Sequence, residues 1–274
     1  MKTSRITRLA LAAAGAIWMA SRAAAFEMIT NRWENISALG TATNRWESSL
    51  AAGLTLTKGN SDKVQGSIGI RSTRRSPLNE ILLGAFGTYG ETTIERNRVT
   101  SSGARVTEQE TTTTASAVGG YGQYNYLFTD QFYGGARADI LHDDLADLKY
   151  RVTLSPLAGW YAVKQPAMKL NLELGPSGVF EEQGGEVNDY AAVRLGDRFE
   201  RKLTARARVW QSFDIIPQVD RLSNYLLIAE VGAEAALNGH FTVRSVLQDT
   251  YDNEPAEGRS PNDIRLITSL VYKF

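Results

Sequence analysis

Asp263-Ile264-Arg265-Leu266-Ile267-Thr268-Ser269-Leu270-Val271-Tyr272-Lys273-Phe274 closes the chain and decides how the rest is read. Ile264, Leu266, Leu270, Tyr272 and Phe274 fall on one side of a period of two, and Asp263, Arg265, Ser269 and Lys273 on the other. Such alternation belongs to a β-strand with unlike surroundings on its two faces. The pattern recurs upstream. Trp46, Leu50, Ala52, Leu54 and Leu56 oppose Glu47, Ser49, Thr55 and Thr57, and Val64, Ile68 and Ile70 oppose Lys63, Gln65, Ser67 and Arg71. Met168, Leu170, Leu172 and Leu174 oppose Lys169, Asn171 and Glu173. Leu203, Ala205, Ala207, Val209 and Phe213 oppose Thr204, Arg206, Arg208 and Ser212. Phe241, Val243 and Leu247 oppose Thr242, Arg244, Gln248 and Thr250.

Six further segments, 80–92, 110–126, 131–141, 150–163, 189–200 and 224–237, bring the expected total to about twelve strands. Their connections alternate in length. Ser76-Pro77-Leu78-Asn79, 127–130, 164–167, Arg201-Lys202 and Asn238-Gly239 are short, whereas 93–109, 142–149, 182–188, 214–223 and 252–261 are generally longer and more polar, with only Gly59-Asn60-Ser61-Asp62 short on that side. Short turns at one end and longer loops at the other are the habit of transmembrane barrels, and an even strand number brings both chain ends to the periplasmic side. The expected fold is therefore all-β, a transmembrane antiparallel up-and-down barrel over residues 45–274.

Soluble sheets also alternate, so three further features bear on the choice. The segments are long enough to cross a bilayer at a tilt. Charges stand in mid-strand on the polar face, as a polar lumen would require: Arg71, Glu173, Arg194, Arg198, Arg206, Arg208, Glu230, Glu234 and Arg244. Tyr121, Tyr124, Tyr126, Tyr133, Tyr150 and Tyr272 gather near strand ends, where an aromatic girdle is expected. A sheet edge in lipid would leave backbone groups unpaired, so the barrel must close.

The N-terminus reads as an export signal. Lys2, Arg5 and Arg8 precede the apolar run Leu9 to Ala20, and Ala23 and Ala25 supply small residues before Phe26. That run is shorter than the roughly 20 residues a membrane helix needs. Cleavage after residue 25 removes Lys2, Arg5, Arg8 and Arg22, turning 30 basic and 30 acidic residues into a mature charge of −4. Residues 26–44 carry Asn31-Arg32-Trp33-Glu34, echoed by Asn44-Arg45-Trp46-Glu47, and read as a periplasmic arm. No basic surface for nucleic acid is present. Zero cysteines and the two histidines His142 and His240 exclude thiolate and His-rich metal centres. No phosphate loop or other cofactor motif occurs.

Trp46-Glu47-x-x-x-Ala51-Ala52-Gly53-x-x-x-Thr57-x-Gly59-Asn60-Ser61-Asp62 resembles the tryptophan-led first hairpin of the DUF481 family, salt-induced outer-membrane proteins. The likeness continues through the Gly- and Tyr-rich middle to the C-terminal strand. Val271-Tyr272-Lys273-Phe274 resembles the terminal strand of outer-membrane proteins, which implies that Tyr272 and Phe274 are read by the barrel-assembly machinery. The resemblance implies a location in the outer membrane of a Gram-negative bacterium, among its lipid and lipopolysaccharide. It implies a loose link to salt or osmotic response, and no catalytic motif.

Two sets of residues are candidate sites. The inward charges suit either a constriction selecting small ions or solutes or a network that fills the lumen. Asp139, His142, Asp143, Asp144 and Asp147 form an acidic rim cluster. It could be a solvated loop, a site for a hard cation, or a hydrolase or lipid-modifying site with His142 as base. His240, after the Asn238-Gly239 turn, falls at the opposite end. The expected function is non-enzymatic: a narrow passive channel or an envelope-stabilising barrel.

Overall fold

The structure, a computed structural model, describes residues 44–57, 61–99 and 105–274. The expected signal peptide, the arm up to residue 43 and the Gly59-Asn60 turn lie outside the described residues. The strands are β1 (Trp46–Thr57), β2 (Ser61–Arg75), β3 (Asn79–Val99), β4 (Arg105–Leu127), β5 (Phe132–Asp143) and β6 (Leu148–Gln165). There follow β7 (Met168–Gln183), β8 (Glu186–Lys202), β9 (Ala207–Pro217), β10 (Tyr225–Ala236), β11 (Phe241–Asp252) and β12 (Asn262–Lys273). Each pairs antiparallel with the next, and β1 pairs with β12, closing a barrel. The end holding Trp46 and Phe274 is called the terminal end here, and its opposite the loop end.

Alternation pins the register. Leu50 faces Ile70 and Tyr272 on the outside, while Ser49 faces Arg71 and Lys273 on the inside. A slip of one residue would place Arg71 among the outer leucines, so the paired register is strongly specified. The outside is apolar: Leu54, Ile68, Ile140, Leu154, Leu174, Leu195, Val231, Leu247 and Leu266 are exposed. Aromatic side chains ring its terminal end, with Phe132 stacked on Trp160 at 6.2 Å and Tyr272 on Phe274 at 5.9 Å. The inside is filled mainly by buried polar and charged side chains. One apolar cluster spans it, joining Ile228 of β10 to Leu82 and Phe86 of β3, Tyr121 of β4 and Leu141 of β5.

Four expectations are corrected. The alternation at Leu203-Thr204-Ala205-Arg206 belongs to a turn and not to β9. Thr204 Oγ1 accepts the backbone N–H groups of Arg206 and Ala207 at 3.1 and 3.0 Å, a local bond that favours a turn over a strand. The loop expected at 93–109 is mostly strand, since β3 and β4 run for 21 and 23 residues. Threonine favours strands, and Thr93 and Thr111 share a 3.0 Å hydroxyl contact across the pair. The loop expected at 182–188 shrinks to Gly184 and Gly185, at φ 61° and 81°, between the paired Gln183 and Glu186. Two positive φ values make the primed hairpin turn that matches strand twist. Finally, Tyr121 and Tyr133 are not in the girdle. Both are buried inside, whereas Tyr124, Tyr126 and Tyr272 do face outward. The Tyr133 ring lies over Gly159 of β6, where a Cβ would sit 2.0 Å from Cζ.

Candidate functional site

The lumen brings together most of the charges that the alternation assigns inward. Arg71, Glu173, Arg194, Arg198, Arg208, Glu230, Glu234 and Arg244 are all buried. Arg206 is the exception: it is exposed in the β8–β9 turn, because the strand that would have turned it inward begins one residue later.

Their geometry is a ladder of alternating sign on β8 to β12. Arg198 Nη2 lies 3.8 Å from Glu200 Oε2, and Glu200 Oε1 accepts Arg208 Nη1 at 3.1 Å. Arg208 Nε lies 2.9 Å from Glu234. Glu234 also takes Arg244 Nη2 at 3.2 Å and Lys273 Nζ at 3.1 Å. Direct cross-strand pairing sets these contacts, since Glu234 is in register with both Arg208 and Arg244. The ladder therefore runs from the fully buried Arg198 to Lys273, whose side chain is 30% exposed near the terminal end.

Trp210 is built into this ladder. It is 1% exposed, its indole N–H donates to Glu230, and Arg198 and Arg208 lie 5.7 and 5.5 Å from its ring. A bare backbone at Gly232 admits the ring, since a Cβ there would meet it at 2.0 Å. Guanidinium groups over an indole face are stabilised by the ring quadrupole, more so when desolvated.

Other bonds cross the lumen. Arg194 bridges Asp214 at 3.0 Å and Asp139 at 3.6 Å, while Arg137 binds both oxygens of Asp139. Glu173 accepts Tyr133 Oη at 2.6 Å and Gln123 Nε2 at 3.3 Å, and Glu80 accepts Tyr161 Oη at 2.9 Å. Arg71 bonds to the Tyr121 hydroxyl. At the loop end Arg151 joins Glu181 and, at 3.1 Å, Asp252 of β11. Above this pair opens a polar cavity of about 390 Å³ lined by Tyr190, Gln218, Arg221 and Glu254.

The rim cluster does not assemble into one site. Asp139 is committed to the two arginines inside the barrel. Asp143 is fully buried and its Oδ1 accepts the N–H groups of Leu145 and Ala146, so it shapes the turn. Asp147 holds a left-handed backbone, φ 54°. His142 faces outward: Nδ1 meets the Lys149 carbonyl at 2.9 Å and Nε2 the Asp144 carboxylate at 3.2 Å. Ser116 Oγ donates to that same carboxylate at 2.5 Å. The acid thus lies between serine and histidine, whereas a hydrolytic triad needs the histidine in the middle. Among the described residues no group of three or more acids or histidines is placed to hold a metal ion. His240 lies in the β10–β11 turn against Tyr272, at 5.8 Å.

Arg137, Glu200, Trp210 and Asp214 belong to the lumen and were not singled out by sequence. Their signal was parity alone: Trp210 lies between Arg208 and Ser212 in the inward set, yet reads as apolar.

A closed twelve-stranded antiparallel barrel, apolar outside and charged inside, has the architecture of the outer-membrane barrels. The chain belongs to DUF481, a family of proteins of unknown function whose model matches residues 50–274. No curated protein matches by sequence. Among solved structures, the chain is similar to the NanC porin at 7% identity and TM-score 0.47, covering 82% of this chain and 98% of that one. It is similar to an outer-membrane channel from Pseudomonas putida F1 at 10% identity and TM-score 0.47, covering 84% and 95%. A third similarity is to the CymD monoaromatic hydrocarbon channel, at 10% identity and TM-score 0.41, covering 93% and 95%.

Proposed function

We propose that the protein is exported, cleaved before Phe26, inserted in the outer membrane of a Gram-negative bacterium by the barrel-assembly machinery through Tyr272 and Phe274, and acts there as a narrow, normally closed channel for small ions and polar solutes. The apolar outer band supports the membrane setting, since a soluble monomer rarely exposes contiguous apolar surface of that extent. The terminal end then faces the periplasm and the loop end the lipopolysaccharide. One observation carries the channel reading: the buried ladder from Arg198 through Arg208 and Glu234 to Lys273. A barrel that only needed filling would be filled as well or better by apolar side chains, because desolvating paired charges offsets most of their attraction. Charges retained inside a membrane protein mark ion or solute routes. Held in pairs they close the route, and once separated they would line it. The link to salt follows as part of this reading: ions entering the lumen compete with the pairs and screen them.

Single-channel recording in planar bilayers tests this, using the mature protein and an Arg208→Ser/Glu234→Ser double variant at several salt concentrations. The expected record is long closed periods with small discrete openings that become more frequent with salt, and a persistently open state in the variant. Silence from both proteins, each shown folded by resistance to unfolding in detergent, would overturn the channel in favour of an envelope-stabilising plug. A large, permanently open wild-type pore would overturn the closed state.

A further inference from the structure

Asp197 sits on the wrong face. Its odd-numbered neighbours on β8, Leu195 and Phe199, point outward, and so does Asp197, away from the charged ladder. The pairing registers put it in one row across five strands: Phe132, Trp160, Leu172, Asp197, Phe213. A carboxyl group is thus set on the lipid-facing side, in line with the Phe132–Trp160 stack and flanked by apolar side chains.

The surface around it is concave. A groove of about 470 Å³ runs beside Asp197 between Trp160, Leu174 and Leu195, floored by Ala158 and the backbone of Gly159 and Gly196. That size falls within the range of small-molecule sites. Glu173 also borders it, but its carboxylate is turned into the lumen onto Tyr133 and Gln123, and the remaining lining is apolar. Gln211 of β9 supplies one hydrogen bond to the Asp197 carboxyl, but a carboxyl group can accept several more. An ordinary hydrocarbon chain would cover the groove and leave that capacity unused. A chain bearing its own N–H or O–H donor would cover the groove and use it.

We infer that this groove is a lateral binding site for one acyl chain that carries an amide or hydroxyl donor, with Asp197 receiving the donor and Trp160 and Leu174 flanking the chain. The inference rests on the membrane setting proposed above and is independent of what passes through the lumen. It commits to a lipid occupant, because the groove lies on the lipid-facing side, is lined mainly by apolar side chains and offers one outward carboxyl acceptor. A second copy would instead have to bring a matching donor on a protruding ridge.

Trp160 provides the readout. The mature protein is inserted in phosphatidylcholine vesicles containing either 9,10-dibromostearamide or the methyl ester of the same brominated acid, and tryptophan quenching is measured. The Trp160→Phe variant identifies the contribution of the groove. The amide is expected to quench Trp160 at about threefold to tenfold lower mole fraction than the ester, the discrimination one hydrogen bond supplies. Asp197→Leu should abolish the difference, and Leu174→Phe, which narrows the groove and spares the carboxyl, should reduce quenching by both probes. Equal quenching by amide and ester in the wild type overturns the site, as does a preference that survives Asp197→Leu. Dimers cross-linked through a cysteine at Leu174 would assign the groove to a second copy. Protein that never enters the vesicles would instead refute the membrane setting.

Discussion

Two patches of the lumen wall are built on opposite principles. On β3 to β5, Leu82, Phe86, Tyr121 and Leu141 turn inward as an apolar patch beside the charged Glu80, Arg137 and Asp139, and the patch packs against Ile228 from across the barrel. The β8–β11 wall turns Arg198, Glu200, Arg208, Glu230, Glu234 and Arg244 inward around a single indole. Apolar packing is non-directional and has no partner to exchange with water. A ladder of ion pairs can trade each partner for an ion or a water molecule. The comparison teaches that the apolar patch fixes the shape of the lumen, and that the charged ladder is where the proposed channel would open.

The largest effect should come from the charged wall. Glu234 is the shared acceptor of Arg208, Arg244 and Lys273, so Glu234→Gln leaves three cations around a neutral amide. Removing one partner of a buried ion pair costs about 3–5 kcal/mol. Urea unfolding in detergent micelles should show a loss of that order, and bilayer recordings should show a shift toward anion preference. An unchanged unfolding midpoint would mean that water already compensates these charges, and the contrast between the two patches would collapse.

The apolar patch should respond more mildly and in one property only. Leu82→Ala removes a buried side chain from the cluster that spans the lumen. Leucine-to-alanine changes in cores cost about 2–5 kcal/mol. The low end, about 2 kcal/mol, is expected here because a lumen can admit water into the space. Ion selectivity should stay as in the wild type. If Leu82→Ala changed selectivity as much as Glu234→Gln, the route would not follow the charged wall, and the division between the two would be wrong.

How far the sequence showed this depends on which face a residue serves. Strands with apolar residues on one parity and polar ones on the other, such as β1, β2, β7, β11 and β12, were legible throughout, because lipid and lumen sort side chains by polarity. Inward aromatics were illegible by that rule. Trp210 and Tyr133 read as lipid-facing by type, and only their parity and the inward glycines on neighbouring strands, Gly232 and Gly159, tell otherwise. The ion pairs were legible as inward charges but not as pairs. Which cation meets which acid is fixed by inter-strand register, and turn positions set that register, as the displaced β8–β9 turn shows. The rim cluster failed for a related reason. Asp139 and Asp143 share an inward parity, His142 has the other, and nearness in sequence separates them across the barrel wall.

Arg206 and Arg208 isolate the point at the smallest scale. They share charge, size and parity and lie two residues apart, yet Arg208 is buried between Glu200 and Glu234 while Arg206 is exposed in the turn. Arg206→Ala should change stability by less than about 0.5 kcal/mol, the usual effect of a surface substitution, and leave conductance and selectivity untouched. Arg208→Ala should behave like Glu234→Gln with the opposite shift in charge preference, since it removes the cation that Glu200 and Glu234 share. Parallel unfolding and reversal-potential measurements on the two variants compare them directly. Should Arg206→Ala shift selectivity, a charge at the terminal mouth would suffice to sort ions, and the buried ladder would lose its claim to be the selective element. If only Arg208→Ala does so, burial between two carboxylates, and not the presence of an arginine, is what gives this wall its function.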